Sequence, residues 1–498
     1  MQDMNAAGLS LGVVGAGAMG TGIAQVAALG GIEVRLFDTR EGAAAKSCEG
    51  IAGRLSKRAA EGKMPADEAR DAAARLNAAG ALADLSGCDV VVEAIVEDLE
   101  VKRSLFAELE AIVSSDALLA SNTSSLPIGA IGAEMKHPER FAGLHFFNPV
   151  PLMKLVEVIP GPDTTEAVVE ALTVLSRRLG RTPVRVKDTP GFLVNYGGRA
   201  YATEALAILQ ETVATPAEID AVMRDCFGFR MGPFELMDLT GVDVNFPVTR
   251  FVHESSFGDP RLRSTALHRY MLETRRLGRK SGRGFFDYAD GAARPSADAP
   301  GDAAPARSVF VHGDAPILKD LVGDCGAQVL DADDGSSPIL AAPVGEDATA
   351  HAVRCGVDPR RLVCVDTVGD MSKRVTVMTA PGADADGLAS VVALLSAKRA
   401  VTAIADSPGF IGQRIAAMVA NLGCEMAQMG LAEPADIDLA MRLGLNYPKG
   451  PLELADAIGP RVVHAILSEL QALTGDDRYR PSQWLRRRAA LGLSALQP

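Results

Sequence analysis

Residues 188–195, DTPGFLVN, return at 406–413 as DSPGFIGQ, so the second copy starts 218 residues beyond the first. The same step carries Ile219-Asp220 onto Ile437-Asp438, Gly232-Pro233 onto Gly450-Pro451 and Glu235-Leu236 onto Glu453-Leu454. A constant step without a gap over about fifty residues is a duplication, because chance likeness drifts in register. Both copies show helical periodicity and open on Asp, a hydroxyl residue and Pro, which suit a cap and a first turn. The chain is therefore expected to hold two all-α repeats, with other domains before and between them.

Ahead of the first copy, residues 11–14 form an apolar run that ends in Gly15-Ala16-Gly17-Ala18-Met19-Gly20. Apolar residues at helical spacing follow (Ile23, Val26, Ala27), then a second strand-like run at 33–37, closed by Asp38. Strand, glycine turn, helix, strand and acid, in that order, describe a dinucleotide site. Glycines let the backbone approach a pyrophosphate, and the helix N-terminus offers unpaired N–H groups. An acid at the second strand end accepts hydrogen bonds from ribose hydroxyls and repels a 2′-phosphate. NAD is thus favoured over NADP, with Arg40 weakening the preference only slightly. A glycine-rich turn that binds nothing is the plainer alternative. Residues 88–94, CDVVVEA, read as a third strand, apolar throughout as a buried parallel strand is. The expected fold of residues 1–186 is α/β and Rossmann-type, with ligands at the carboxyl ends of the strands.

Residues 118–120 and 143–147 read as further strand ends, carrying SNTSS (121–125) and HFFNP (145–149). Oxidising an alcohol with NAD needs a base for the hydroxyl proton. His145 is suited to it, since an imidazole titrates near working pH. The strand-like run 153–158 begins a short turn later, so Glu157 can return to the same edge and orient the imidazole. Ser124 and Asn195 are neutral donors suited to substrate oxygens. Each has a plainer reading alone: His145 as a structural residue, Glu157 as a surface acid, Ser124 and Asn195 as helix-start residues. Gathered on one sheet edge beside a cofactor turn, they form a catalytic constellation.

A net charge of −13 argues against nucleic acid or an anionic membrane as a partner, since both need a basic face. The first ten residues hold no basic region followed by an apolar core, so no secretory signal is expected, and no apolar run suggests a membrane span. Seven scattered cysteines without a C-x-x-C pair give no basis for a metal site and fit a reducing cytoplasm.

SNTSSL (121–126), GLHFFNPVPLMKLVEVI (143–159), KDTPGFLVN (187–195), MGPFEL (231–236) and GRKSGRGFFDY (278–288) resemble the signatures of the 3-hydroxyacyl-CoA dehydrogenase family. The resemblance implies a Rossmann-type NAD-binding domain followed by an all-helical domain, and reversible oxidation of an L-3-hydroxyacyl-CoA to the 3-ketoacyl-CoA. It implies His145 as base, Glu157 as its carboxylate partner, and Ser124, Asn148 and Asn195 as substrate contacts. Gly15, Gly17, Ala18, Met19, Gly20, Asp38, Glu97, Lys102 and Asn122 match cofactor contacts. Lys46, Arg54 and Lys57 are loose candidates for the CoA phosphates. The duplicated helical domain resembles bacterial 3-hydroxyadipyl-CoA and 3-hydroxybutyryl-CoA dehydrogenases of phenylacetate catabolism. A dicarboxylic substrate would want a basic residue at its far end, for which Arg199, Arg230 and Arg250 are candidates.

The expected division is a Rossmann-type domain at 1–186, a helical domain at 187–288, a Pro- and Ala-rich linker at 289–307, a shrunken Rossmann-like segment at 308–405, and a second helical copy at 406–498. The segment 308–405 has His312-Gly313-Asp314 where a glycine turn would stand, and Gln413 replaces Asn195. Aligning residues 371–377 with 153–158 sets Cys364 opposite His145 and no Glu opposite Glu157. One working site is therefore expected, the second copy serving as the other half of an intrachain pseudo-dimer, with homodimerisation left open. Two other readings remain: a β-hydroxyacid dehydrogenase of the 6-phosphogluconate type, which would use a lysine, and a non-catalytic NAD- or acyl-CoA-binding protein of the same fold.

Overall fold

Short apolar runs buried on both faces form the centre of the first sheet. The computed structural model describes residues 3–497. Its strands are β1 (Ser10–Val14), β2 (Glu33–Phe37), β3 (Leu76–Ala78), β4 (Val90–Glu93), β5 (Leu118–Ser121), β6 (Phe141–Phe146), β7 (Leu155–Pro160) and β8 (Thr182–Arg185). They lie in the order β3-β2-β1-β4-β5-β6-β7-β8. Only the β6–β7 pair is antiparallel, and it sets His145 directly opposite Glu157. The run at 88–94 is thus the fourth strand rather than the third. The edge strand β3, three residues (LNA) with one apolar side chain half-buried, has no periodicity from which to be read.

The chain divides into two compact units: residues up to Tyr196 together with Gly430–Leu445, and Gly197–Met429 together with the residues from Asn446 on. A second sheet lies in the latter, built from β9 (Ser308–Val311), β10 (Gln328–Leu330), β11 (Ile339–Ala341), β12 (Leu362–Val365), β13 (Arg374–Met378) and β14 (Ala400–Ile404). Its order, β10-β9-β11-β12-β13-β14, repeats the first plan with two strands fewer, and β12–β13 is again the antiparallel pair. The fold is therefore a Rossmann-like parallel sheet with helices, a helical domain, and a second, reduced sheet with a second helical copy. Residues 289–307, expected as a linker, are irregular but docked: the Ala299 N–H donates to Val401 and the Ala306 N–H to Ser390.

Helices of the two copies start in step, at Pro216 and Pro434, Pro233 and Pro451, and Val242 and Pro460. Within the second unit, helix Arg199–Gln210 of the first copy packs on helix Gly412–Gln428 of the second. Arg414, 2% exposed, donates to Glu204 at 2.8 Å and to both Glu211 oxygens at 2.6 and 3.1 Å. Tyr479 closes the cluster, its hydroxyl 2.9 Å from Glu204. A second pair crosses in the other direction: Arg261 of the first copy meets Glu425 of the second at 2.7 Å.

Each copy's next helix packs on a sheet of the other repeat. Helix Pro216–Phe227 lies on β13, with Asp225 2.8 Å from Arg374. Helix Pro434–Leu445 lies on β7 and β8, within the first unit. There a Cβ on Gly444 would stand 3.0 Å from Val194 and 3.1 Å from Leu155, so a larger residue would have to push these side chains aside. The main-chain N–H of Lys187 donates to Leu431 at 2.8 Å in the same contact.

Inside the second unit, His268 is buried on helix Ala266–Glu273, with its Nδ1 2.9 Å from Ser264 Oγ. Burial, reinforced by the Arg199 charge, pushes its imidazole down to about 4. A histidine free in the unfolded chain titrates near 6.5, so the unfolded form takes up a proton first on acidification. Stability is therefore complete above pH 6.5 and falls as the pH drops towards 4, by up to roughly 3 kcal/mol. Unfolding midpoints of wild type and His268→Gln across that window should converge at low pH; parallel curves would contradict the assignment.

Candidate active site

The glycine turn opens between β1 and helix Ala18–Leu29, whose N-cap is Gly17. Gly15 has φ +106°, and a Cβ there would lie 2.4 Å from the Ala94 carbonyl. A Cβ on Gly20 would lie 1.8 Å from the Gly15 carbonyl, whereas nothing stands within 4 Å of one on Gly17. Two glycines are thus required by the fold and the third leaves an open cradle at a helix N-terminus, which fits a pyrophosphate. Ala18 and Met19 are the first two residues of that helix. Asp38 closes β2 with its Oδ2 accepting the Ala16 N–H at 2.7 Å. The Arg40 guanidinium, bonded to Asp38 Oδ1 at 3.0 Å, together with the Ala16 N–H, lowers this carboxyl to about 2 against the cost of its burial. It is an anion at neutral pH, as ribose recognition needs.

At the neighbouring strand ends, His145 Nδ1 lies 2.6 Å from Glu157 Oε2. The glutamate is fully buried, and its Oε1 accepts the Leu193 and Val194 N–H groups at 3.1 and 2.9 Å. The isolated surface acid that Glu157 alone could have been is excluded. With Nδ1 held as the donor, the lone pair resides on Nε2. The ring lies between Phe147 and Phe192, at 4.5 and 5.8 Å between centroids. Phe192 has φ +50°, and Phe410, its counterpart in the repeat, has φ +51°. The same strained turn is built twice, once with the histidine and once without it.

Ser124 sits on the loop after β5 and is half-buried; Asn195 Nδ2 donates to its carbonyl at 3.2 Å. The helix-start reading of Ser124 fails, because the nearby helix Ile128–Gly132 begins after Pro127 and its first N–H groups go to Asp188. Asn122 Oδ1 accepts the Phe146 N–H at 2.8 Å, tying the ends of β5 and β6 together. Asn148 is exposed and precedes a cis proline, Pro149.

Glu97 and Lys102 turn inward to hold the loop. Glu97 Oε1 accepts from the Thr123 hydroxyl at 2.7 Å, the Ser124 N–H at 2.9 Å and the Ser125 hydroxyl at 2.8 Å. Burial opposes its charge, yet these bonds and the Lys102 charge hold its carboxyl below the ordinary value. Lys102, 1% exposed, bonds to Glu93 and lies 3.3 Å from Glu97. Glu93 was missed in the sequence. It is fully buried at the end of β4 and also accepts from Ser121 Oγ at 2.6 Å and from the Ile95 N–H at 2.7 Å. Its signal was present: a lone acid closing the apolar run VVV.

The second sheet corrects one alignment. The β12–β13 pairing joins Val365 to Val377, and the Asp366 N–H bonds to Thr376. Thr376 pairs with Thr402 as Glu157 pairs with Val184, one repeat step earlier. Asp366 therefore stands where His145 does, and Thr376 where Glu157 does, with Cys364 two residues away. Antiparallel register, invisible in a one-dimensional alignment, makes the difference. Gln413 Nε2 donates to Asp366 at 3.0 Å, so the base is replaced by a buried, hydrogen-bonded structural pair.

The sequence model of "3-hydroxyacyl-CoA dehydrogenase, NAD binding domain" matches residues 10–189, and that of "3-hydroxyacyl-CoA dehydrogenase, C-terminal domain" matches twice, at 191–288 and 409–495. The chain belongs to the 3-hydroxyacyl-CoA dehydrogenase family. Members of this family are NAD-dependent oxidoreductases, and this chain is one. It is 40% identical to the 3-hydroxyadipyl-CoA dehydrogenase of Escherichia coli K12 over 97% of this chain and 98% of that protein. The crystal structure of an E. coli K12 3-hydroxybutyryl-CoA dehydrogenase superposes with a TM-score of 0.87, at 39% identity, covering 97% of this chain and 98% of that one. Human mitochondrial hydroxyacyl-coenzyme A dehydrogenase, 41% identical, matches 55% of this chain and 90% of its own length. No described helix of this family member is long and apolar enough to cross a membrane.

For a dehydrogenase of this family, Asp38 is the group to test for cofactor choice. A hydrogen bond to a charged group is worth about 1.5–3 kcal/mol. Asp38→Ala should raise the Kd for NAD by roughly 10–100-fold and narrow the preference over NADP, as read by nicotinamide fluorescence titration. An unchanged ratio would remove Asp38 from ribose recognition.

Proposed function

We propose that the chain oxidises an L-3-hydroxyacyl-CoA of short or dicarboxylic acyl chain to the 3-ketoacyl-CoA, reversibly, at one site built around His145. The His145–Glu157 contact of 2.6 Å, at the sheet edge that carries the glycine cradle, is the observation that supports it. His145 Nε2 takes the proton of the C3 hydroxyl, and Glu157 holds the resulting imidazolium against the Nδ1 hydrogen. NAD, once bound, provides the acceptor for the C3 hydride. Gly15, Gly17, Ala18, Met19, Gly20 and Asp38 hold the cofactor, while Glu97, Lys102 and Asn122 set the loop that faces it. Ser124 and Asn195 orient the hydroxyl and thioester oxygens, and Asn148 is a third substrate contact. In the reverse direction the same imidazolium returns the proton.

A cavity of about 750 Å³ beside the turn is lined by Arg40, Arg54, Lys57 and Arg58 together with Thr21 and Pro149. It suits the CoA phosphates; Lys46 is exposed on the same helix and does not line it. The acyl preference follows the names of the two relatives matched along nearly the whole chain. Arg199 is a weak candidate for a far carboxylate, since it is buried and donates to Thr249 at 2.7 Å. Arg250 lies beside Glu254 at 3.9 Å, and Arg230 is exposed.

The reading includes the domain division at 186, 288, 307 and 405, a cytoplasmic setting, and an intrachain pseudo-dimer of the helical copies. The crossed pairs Arg414–Glu204 and Arg261–Glu425, and the exchange of helices Pro216–Phe227 and Pro434–Leu445 between sheets, support the pseudo-dimer. Turnover of 3-hydroxybutyryl-CoA, 3-hydroxyadipyl-CoA and a long-chain analogue with NAD, followed at the nicotinamide band, tests the activity. The first two should be oxidised at the higher kcat/KM. No NADH formation from any of them would overturn the proposal, and a preference for the long chain would overturn its acyl part.

A further inference from the structure

The second sheet carries a side-chain cluster outside the dehydrogenase site. His312 follows the last residue of β9, in the place where Gly15 follows β1. Helix Ala348–Cys355 follows β11 and brings His351 and Cys355 to one face, four residues apart. One donor atom from each of His312, His351 and Cys355 lies within 4.8 Å of the others. His351 is 7% exposed. Its Nδ1 stands 2.9 Å from a Glu346 oxygen, and its Nε2 is buried with no hydrogen-bond partner among the described residues. A buried polar atom left without a partner is costly and calls for a ligand.

We propose that His312, His351 and Cys355 bind a divalent transition-metal cation, zinc foremost, at the edge of the reduced sheet. Two imidazoles and a thiolate match zinc, whereas magnesium and calcium take oxygen ligands. Three protein ligands leave a fourth position for water, in keeping with the half-buried state of His312 and Cys355. The carboxylate of Glu346 makes Nδ1 of His351 a donor, which directs the Nε2 lone pair to the metal, the usual arrangement behind a ligating histidine. Arg354 pairs with Glu346, with Nη2 at 2.8 Å, and the same Nη2 lies 3.3 Å from His351 Nδ1, on the side of the ring away from the Nε2 lone pair. Bond lengths of about 2.0–2.3 Å set tetrahedral donors roughly 3.5 Å apart, so the cluster closes by roughly 1 Å on binding. Each metal ion bound displaces the Cys355 thiol proton to solvent, and the two imidazoles enter neutral. The metal would clip β9 to the helix at the edge where the first sheet has its glycine cradle.

The full-length chain, stripped with a chelator, should take up one equivalent of Co²⁺ with a thiolate-to-cobalt absorption band, and Zn²⁺ should displace it. Cys355→Ser should lose the band while NAD-linked turnover stays unchanged. His351→Ala should lose it too, and Glu346→Gln should weaken binding about 10–100-fold. His312→Gln alters a half-buried side chain, leaves no hole in the core and should abolish one-equivalent binding. Wild type that takes up no cobalt, or C355S and H312Q variants that bind as wild type does, would overturn the site.

Discussion

Replacing His145 by alanine should lower kcat by about 10²–10⁴ while the Kd for NAD stays unchanged. The size of the effect follows from the geometry. The imidazole is 5% exposed, in tilted contact with two phenylalanines, and its Nδ1 is fixed by a carboxylate that is itself held by two main-chain N–H groups. Stopped-flow single turnover separates loss of the proton-transfer step from loss of binding. Near-normal turnover would remove His145 from the chemistry, and with it the proposed mechanism.

Arg414→Met should destabilise the second unit by about 3–5 kcal/mol, because it strands a buried Glu204 charge. Glu204 is fully buried, with Arg478 3.5 Å away as the remaining cation. Burial works against the Glu204 charge, and the Arg414 and Arg478 guanidiniums hold its carboxyl below the ordinary value all the same. Adding Glu204→Leu should recover part of the loss, since removing both charges leaves less to desolvate. Denaturant unfolding of the single and double variants reads both effects. If the single variant unfolds at the wild-type midpoint, the seam between the helical copies does not depend on this cluster and the pseudo-dimer loses its main support.

Much of the dehydrogenase site was legible because it is written in local pattern. The turn from Gly15 to Gly20 is a compact glycine pattern beside an apolar run, and Gly20 needs glycine because of the Gly15 carbonyl five residues before it, while Asp38 and His145 mark strand ends by contrast with the apolar runs before them. Glu157 was found because a hairpin-like return places it opposite His145. The parts that escaped depend on partners far apart in the chain. Glu93 reaches the 121–125 loop through Ser121 from another strand end, and the cluster of His312 with His351 and Cys355 joins residues with no shared motif. Spacing alone gives the cysteines no metal-site signature, since a C-x-x-C test sees only residues that are neighbours in sequence.

The repeat gives the same lesson on a larger scale. By itself, the sequence determined that there are two helical copies, one intact nucleotide turn and the pairing of His145 with Glu157, because periodicity, glycine pattern and register are properties of short segments. Only the tertiary structure decided that helix Pro434–Leu445 covers β7 and β8, that helix Pro216–Phe227 covers β13, and that Asp366 rather than Cys364 stands in the place of His145. Those outcomes turn on which distant apolar faces bury each other and on antiparallel pairing, which fixes opposite residues across the ladder rather than along the sequence.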